Sequence, residues 1–491
     1  MSPLAVIITI AAYFLVLFTV SHLAGRKADN AGFFIGNRSS KWYMVAFAMI
    51  GSTISGVTFM SVPGMVDPKA FSYMQMVLGF FVGQLIISFV LIPVFYRMKL
   101  FSIYEYLYER FGVSTYKTGA WFFFISKVLG ASVRLFLVCL FLQMMVFGPL
   151  NIPFIFNVIA TVALVWLYTR QGGVKTLIWT DSLKTFCLIL SVVLTIFFIV
   201  KNMGLDFSGM VSNIRGSDLS RTFFFDNPKE GTYFWKQFLA GIFTMIATTG
   251  LDQDFMQRNL SCENPRDSQK NIITSGLVQL VINLLFLMLG VLLYLFIDSK
   301  GITRPEKSDE LFPMVATQGY LPLAVGILFI IGLISSAYAA AGSALTALTT
   351  SFTVDILGIK NKSEVQIKST RKNVHIGMAV VMGVVIFVFN LLNNTSVIDA
   401  VYILASYTYG PILGMFAFGI LIKRSVRDKF VPYIAVLAPI ICFFLQKLTI
   451  AVWDFHFGYA LIIVNALITM AGMFSLSLNP FPKERDWQSK K

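Results

Sequence analysis

From Pro3 to Leu478 the chain is a succession of about thirteen apolar stretches, each roughly 18 to 30 residues long, separated by short polar connections. The stretches cover residues 3–23, 43–66, 72–96, 117–148, 153–169, 178–200, 234–257, 272–297, 320–354, 373–393, 397–422, 431–453 and 458–478. A hydrophobic run of this length crosses a bilayer only as a helix, because every backbone polar group must then be satisfied within the segment. The pattern predicts an all-α polytopic membrane protein, one integral membrane domain over residues 1–491 that sits in the lipid bilayer. The connections 201–233 and 298–319 are the longest and predict short helices or lids.

Two stretches depart from the uniform apolar pattern. In 43–66 the run GSTISGVTFMSVPG (Gly51 to Gly64) places Gly, Ser, Thr and Pro in the middle and far end of a span, and in 234–257 TMIATTGLDQD (Thr244 to Asp254) does the same five spans later. Close helix packing through small residues explains either run alone. As a matched pair they predict interrupted helices on the two halves of an inverted-repeat transporter, since unwound backbone is tolerated only where it lines a cavity.

Composition and charge sharpen this picture. Hydrophobic residues make up 57% of the chain and Phe alone numbers 48, more than a soluble domain of 491 residues can bury. The net charge of +15 does not point to nucleic acid: about two-thirds of the 39 Lys and Arg fall in alternate connections, the asymmetry of cytoplasmic loops. The N-terminus is then outside and the C-terminus inside. The opening MSPLAV has no basic region, so the first span is expected to stay as a helix rather than be cleaved. Four scattered cysteines and three histidines near span ends offer no disulfide framework and little material for a metal or acyl-transfer site, which weighs against an enzyme.

Five segments stand out: GLDQDFMQRNLSCEN (Gly250 to Asn264), GGVKTLIWTDSLKT (Gly172 to Thr185), TFMSVPGM (Thr58 to Met65), PVFYR (Pro93 to Arg97) with SIYEYLYERFG (Ser102 to Gly112), and GPILGMFAFGILIKR (Gly410 to Arg424). They resemble the sodium/solute symporter family, which includes bacterial proline, sugar and sialic acid symporters. In the second, Lys184 stands where Gln is common. The resemblance spans nearly the whole chain. It implies a LeuT-like fold: a leading helix at 3–23, inverted five-helix repeats at 43–200 and 234–422, and trailing helices at 431–478.

Arg134 lies about 17 residues, or roughly 25 Å of helix, from the cytoplasmic end of its span. A guanidinium there costs at least ~2.5 kcal/mol unless it meets water, a carboxylate or a ligand. An internal ion pair satisfies it, as does a substrate carboxylate, which suits its bidentate fork. The resemblance implies the second, because sialic acid symporters carry an arginine on this helix for their substrate. Lys127, seven residues nearer the cytoplasm, reads as a snorkelling or vestibule charge. Ser55, Thr58, Phe71, Gln75, Thr248 and Thr249 match substrate-contacting positions of that branch, with packing and backbone bonding as the alternatives.

For ions, Asp181 is the carboxylate just inside the membrane on its span; it reads either as a sodium or proton site or as a helix cap. The family's common sodium site implies carbonyls of Gly51 and Ile54 with two adjacent hydroxyl residues on the 320–354 span. There the chain has Ala339 and Ala340, and Ser343 is the nearby hydroxyl; a slipped register would offer Ser335 and Ser336 instead. The resulting expectation is an inner-membrane secondary transporter importing a small organic solute, carboxylate-bearing (sialic acid, sugar acid or monocarboxylate), by sodium symport and without a cofactor. The alternatives are a proton-coupled or uncoupled carrier, a neutral sugar symporter, or a sensor or channel on the same fold.

Overall fold

A computed structural model describes residues 2–25, 42–53, 55–98, 103–169, 174–260, 262–353, 357, 364–392 and 396–480. Among the described residues nine helices are long and apolar enough to cross a bilayer, and Pro3–Val16 and Phe154–Leu167 are shorter apolar ones. Large hydrophobic side chains such as Leu15, Phe89, Phe186 and Phe444 remain exposed around the bundle, as lipid-facing positions require.

Both predicted interruptions are present. The first span is split into helices Trp42–Thr53 and Gly56–Gly64, the second beginning at Ser55, whose Oγ accepts the Thr58 amide at 3.3 Å. The second span runs as an α-helix over Phe234–Met245, widens to a π-turn over Ile246–Gly250, breaks at Leu251 and Asp252, and resumes over Gln253–Asn259. Glycine and β-branched residues weaken the helix at both places, and a π-turn inside a helix commonly marks a functional site.

The halves are held by close packing. Phe234–Met245 lies along Ser72–Ile86 at a crossing made by Gly79 and Gly241. A Cβ on Gly79 would stand 2.1 Å from the Phe238 carbonyl oxygen, and one on Gly241 2.2 Å from that of Met76, so the backbones touch directly. The long helix Val113–Leu142 packs against Leu323–Ser351 and Val397–Leu421.

At one end of the bundle, the basic face, Arg110 donates to the carbonyls of Gly419, Ile422 and Arg424. A guanidinium there satisfies orphan carbonyls and opposes the negative helix end. Asp428 reciprocally accepts the backbone amides of Ser114 and Thr115 at the start of Val113–Leu142, each at 2.8 Å. An antiparallel pair of short strands, Arg424–Val426 with Ser477–Pro480, ties the same face and departs from an all-helical reading.

The two long connections carry short helices, as expected, at Phe207–Gly216 and Leu311–Thr317. Before the second of these, Asp309 is 3% exposed and its Oδ2 accepts the Val397 amide at 2.8 Å, holding the start of Val397–Leu421. Burial pushes this carboxyl from the ordinary 3.8 up to about 6. A raised folded-state value stabilises the fold below the unfolded value near 4, and that stability is lost as pH rises through 6. Asp309→Asn keeps an acceptor for Val397 but cannot ionise. The variant should exceed the parent by up to about 3 kcal/mol at pH 7.5, with the gap closing near pH 4. Denaturation midpoints across that range test this, and an equal gap at both ends would contradict it.

Candidate functional site

Between the second interruption and three long helices lies a cavity open to both apolar and charged side chains. Val113–Leu142 contributes Lys127, Gly130 and Arg134; the π-turn and the residues after it contribute Thr248, Asp252, Asp254 and Phe255. Leu323–Ser351 adds Ala339, Ala340 and Ser343, and Val397–Leu421 adds Val401, Leu404, Ala405, Thr408 and Tyr409. Arg134 and Lys127 are two helical turns apart, so one face of one helix presents both cations to the same space.

The two cations are handled differently. Lys127, 9% exposed, donates to both carboxylate oxygens of Asp252, at 3.1 and 3.0 Å, and lies 3.6 Å from Asp254. Asp252, 2% exposed, also accepts the Tyr409 hydroxyl at 3.1 Å and the Asp254 amide at 2.9 Å, so it caps the resumed helix. Ser343 donates to Asp254 at 3.5 Å and Tyr104 donates to the Leu251 carbonyl at 2.8 Å. The reading of Lys127 as a snorkelling charge is thereby corrected: its ammonium is the hub of a buried network, because the break in the second span brings Asp252 to it. Arg134, by contrast, makes no hydrogen bond or ion pair among the described residues. An internal carboxylate partner, the alternative weighed for it from the sequence, is not found there.

Of the other site residues read from the sequence, Thr248 and Ser343 line the cavity, although Thr248 Oγ1 already bonds to the Thr244 carbonyl at 2.9 Å. Gln75 does not line it. Fully buried, Gln75 donates to the carbonyls of Ser72 and Thr232 and accepts the Phe224 amide, so its amide fastens the long connection to its helix. Phe71 is 5% exposed beside the same connection, its amide bonded to the Arg221 carbonyl. Thr249 is buried and donates to the Met245 sulfur. Ser55 and Thr58 are turned to each other, with hydroxyl oxygens 3.3 Å apart. These five sit near an interruption or on its neighbouring helix, and the polar groups of Ser55, Thr58, Gln75 and Thr249 bond within the protein rather than face the cavity.

For the ion positions, Gly51 lies in Trp42–Thr53, Ile54 lies outside the described residues, and Asp181 belongs to Val174–Asn202 with its side chain outside the description. Ala339 and Ala340 do face the cavity. The first break packs beside Leu333 and Ser336, since a Cβ on Gly56 would meet them at 3.4 and 3.7 Å, while Ser335 bonds to the Gly332 carbonyl.

On the face opposite the basic one, a second polar cluster closes the bundle. Lys69 bonds to Asp399 at 2.6 Å and to the Tyr459 hydroxyl at 3.3 Å, Tyr459 also bonds to Asp399, and Tyr73 and Tyr402 share a hydrogen bond of 2.7 Å. Sequence reading passed over Lys69 and Asp399, which sit singly at span ends; only their spatial meeting distinguishes them. Asp252 was within reach, as the acidic residue just past the second interruption.

Interrupted helices beside a charge-lined cavity inside a bundle of long apolar helices are the features of a secondary solute transporter. The family model for the sodium:solute symporter family matches residues 33–428. The sodium/sialic acid symporter NanT of Aliivibrio fischeri is 25% identical over 85% of this chain and 83% of its own length. The sodium/sialic acid symporter SiaT of Proteus mirabilis is 23% identical, covering 85% of each. A solved structure of a Na+-coupled sialic acid symporter superimposes with a TM-score of 0.77 at 18% identity, over 95% of this chain and 96% of that one. The chain belongs to the sodium:solute symporter family. Its fold is the LeuT-like one, and the activity of the class is sodium-coupled import of a small organic solute.

Proposed function

We propose that the solute is a hydroxylated carboxylate of the sialic acid or sugar acid type, carried across a bacterial inner membrane by alternating access, with Arg134 taking its carboxylate. The observation that carries this reading is the guanidinium of Arg134 in the cavity wall, which makes no ion pair with a carboxylate among the described residues. Lys127 does not compete for the solute, because Asp252 and Asp254 already hold it. The relatives NanT and SiaT, which take sialic acid, support the same chemistry. The basic face is assigned to the cytoplasm, with the N-terminus outside, on the charge asymmetry of the connections. The repeats at 43–200 and 234–422 would move against each other about the cavity. Uptake into proteoliposomes, with and without a sodium gradient, tests the reading against sialic acid, gluconate, monocarboxylates and neutral sugars. Sodium-driven uptake of carboxylates alone is expected, and preferential uptake of a neutral sugar would overturn it.

Sodium is the coupling ion in this reading, with Gly51 and Ile54 carbonyls, Ser343 and Asp181 as the oxygen donors proposed for it. Methyl groups of Ala339 and Ala340 in the cavity wall cannot ligate a hard cation. Half-maximal stimulation should therefore need much sodium, and Ala339→Ser with Ala340→Ser should lower that concentration by roughly tenfold, about 1.4 kcal/mol. An unchanged sodium dependence of uptake in the double variant would place the ion elsewhere, with Ser335 and Ser336 the next positions to change.

A further inference from the structure

A glycine inside a membrane helix commonly answers to a crowded neighbour, and Gly130 does not. It lies within the unbroken helix Val113–Leu142, where glycine is a poorer helix former than alanine. A Cβ built on it would meet nothing within 4 Å beyond its own stretch of helix backbone, whereas a Cβ on Gly79 or Gly241 would collide with a carbonyl oxygen. Packing therefore does not require the missing side chain. What its absence leaves is open space, and that space belongs to the cavity whose wall includes Gly130.

The place of that space in the cavity gives it a use. Gly130 is four residues before Arg134 and three after Lys127, so the three share one face of the helix. Side chains on a helix lean toward its N-terminus, which carries the Arg134 side chain over the turn that Gly130 occupies. Lys127, one turn further on, is held by Asp252 and Asp254. Between the two cations the wall thus offers no side chain at Gly130 and a single methyl at Ala131, and Ala339, Ala340 and Ala405 of two other helices line the same cavity. A carboxylate paired with Arg134 would lay the rest of its molecule over Gly130.

We propose that Gly130 sets the size of the solute: the room it leaves beside Arg134 admits a bulky polyhydroxylated acid such as sialic acid, where a larger residue would admit only a small carboxylate such as lactate. The inference rests on the role proposed for Arg134 and adds the residue that separates one class of carboxylate from the other. A glycine serving instead as a hinge in Val113–Leu142 would affect every solute alike.

Dissociation constants for sialic acid and lactate are read from the rise in melting temperature of the purified protein with solute concentration, in sodium-containing buffer. Gly130→Leu should weaken sialic acid binding roughly ten- to a hundredfold while lactate changes by about twofold or less. Gly130→Ala should fall between parent and Gly130→Leu for sialic acid. Without solute it should melt no lower than the parent, since alanine is the better helix former and its methyl meets no neighbour. Sialic acid bound as tightly by Gly130→Leu as by the parent would overturn the proposal. So would an equal loss for both acids, or a parent that binds lactate and not sialic acid. Arg134→Ala, measured alongside, separates the two claims. If it weakens both acids while Gly130→Leu fails to discriminate, the role of Gly130 alone falls. If it weakens neither while Gly130→Leu still loses only the larger solute, the carboxylate reading falls and Gly130 stands as the size filter.

Discussion

Arg134→Ala is expected to weaken binding of the transported carboxylate by roughly 30-fold to several thousandfold, the range of about 2 to 5 kcal/mol lost when one member of a desolvated charge pair is truncated. The geometry behind this is the lone guanidinium on the wall of the cavity. Arg134→Lys should recover only part of the loss, because an ammonium is a point charge and cannot offer two parallel hydrogen bonds to one carboxylate. A structural role would behave otherwise: Arg134 has no partner among the described residues to lose, so folding stability should be unchanged or slightly raised by either substitution. Equilibrium binding of labelled sialic acid to purified protein measures the first effect and thermal unfolding the second. Unaltered affinity for every transported solute in Arg134→Ala would remove the residue from the site.

Lys127→Met should be severe for a different reason. The substitution leaves Asp252, 2% exposed, with only Tyr409 and backbone amides for company, and breaking a buried ion pair in this way costs about 3 to 5 kcal/mol. Asp252→Asn should cost less, since Lys127 can turn to Asp254, already 3.6 Å away and partly exposed. Combining the two removes both charges from the interior, and the double variant should regain most of the stability lost in Lys127→Met. Melting temperatures of the four proteins form the cycle. A double variant no more stable than Lys127→Met would show that the ammonium holds the break in the helix through something other than Asp252.

The parts of this molecule that were legible in the sequence are those written in periodicity and in backbone chemistry. Long apolar runs determine helices in lipid, and the Gly, Ser and Thr runs at 51–64 and 244–254 mark where those helices fail, which the breaks at Ser55 and at Leu251 to Asp252 reflect. Arg134 stood out because a lone cation deep in an apolar run has few uses. What the sequence did not disclose depends on rotation about helix axes and on meetings across hundreds of residues. Gln75 matched a substrate position, yet it is turned onto Thr232 and Phe224, 157 and 149 residues further on. Lys69 and Asp399 are 330 residues apart and unremarkable singly. Lys127 looked able to reach water because nothing in its own helix indicated that Asp252, 125 residues away, would meet it.

The glycine crossing of Ser72–Ile86 and Phe234–Met245 bears on which pieces of the chain count as one part. Where Gly79 and Gly241 meet, carbonyl oxygens occupy the space of side chains, so neither helix has room to slide or roll over the other. Beyond the π-turn, the continuation Gln253–Asn259 has no such seam with Ser72–Ile86 and is fastened instead to Lys127 through the Asp252 cap. The first half of this span is thus tied to a helix more than 150 residues earlier in the chain, while its second half packs on Trp42–Thr53 and Pro265–Ser299 and meets Val113–Leu142 through Lys127. Covalent order and packing order differ here: a span that is continuous as polymer is two pieces by what holds them, joined at Leu251 and Asp252.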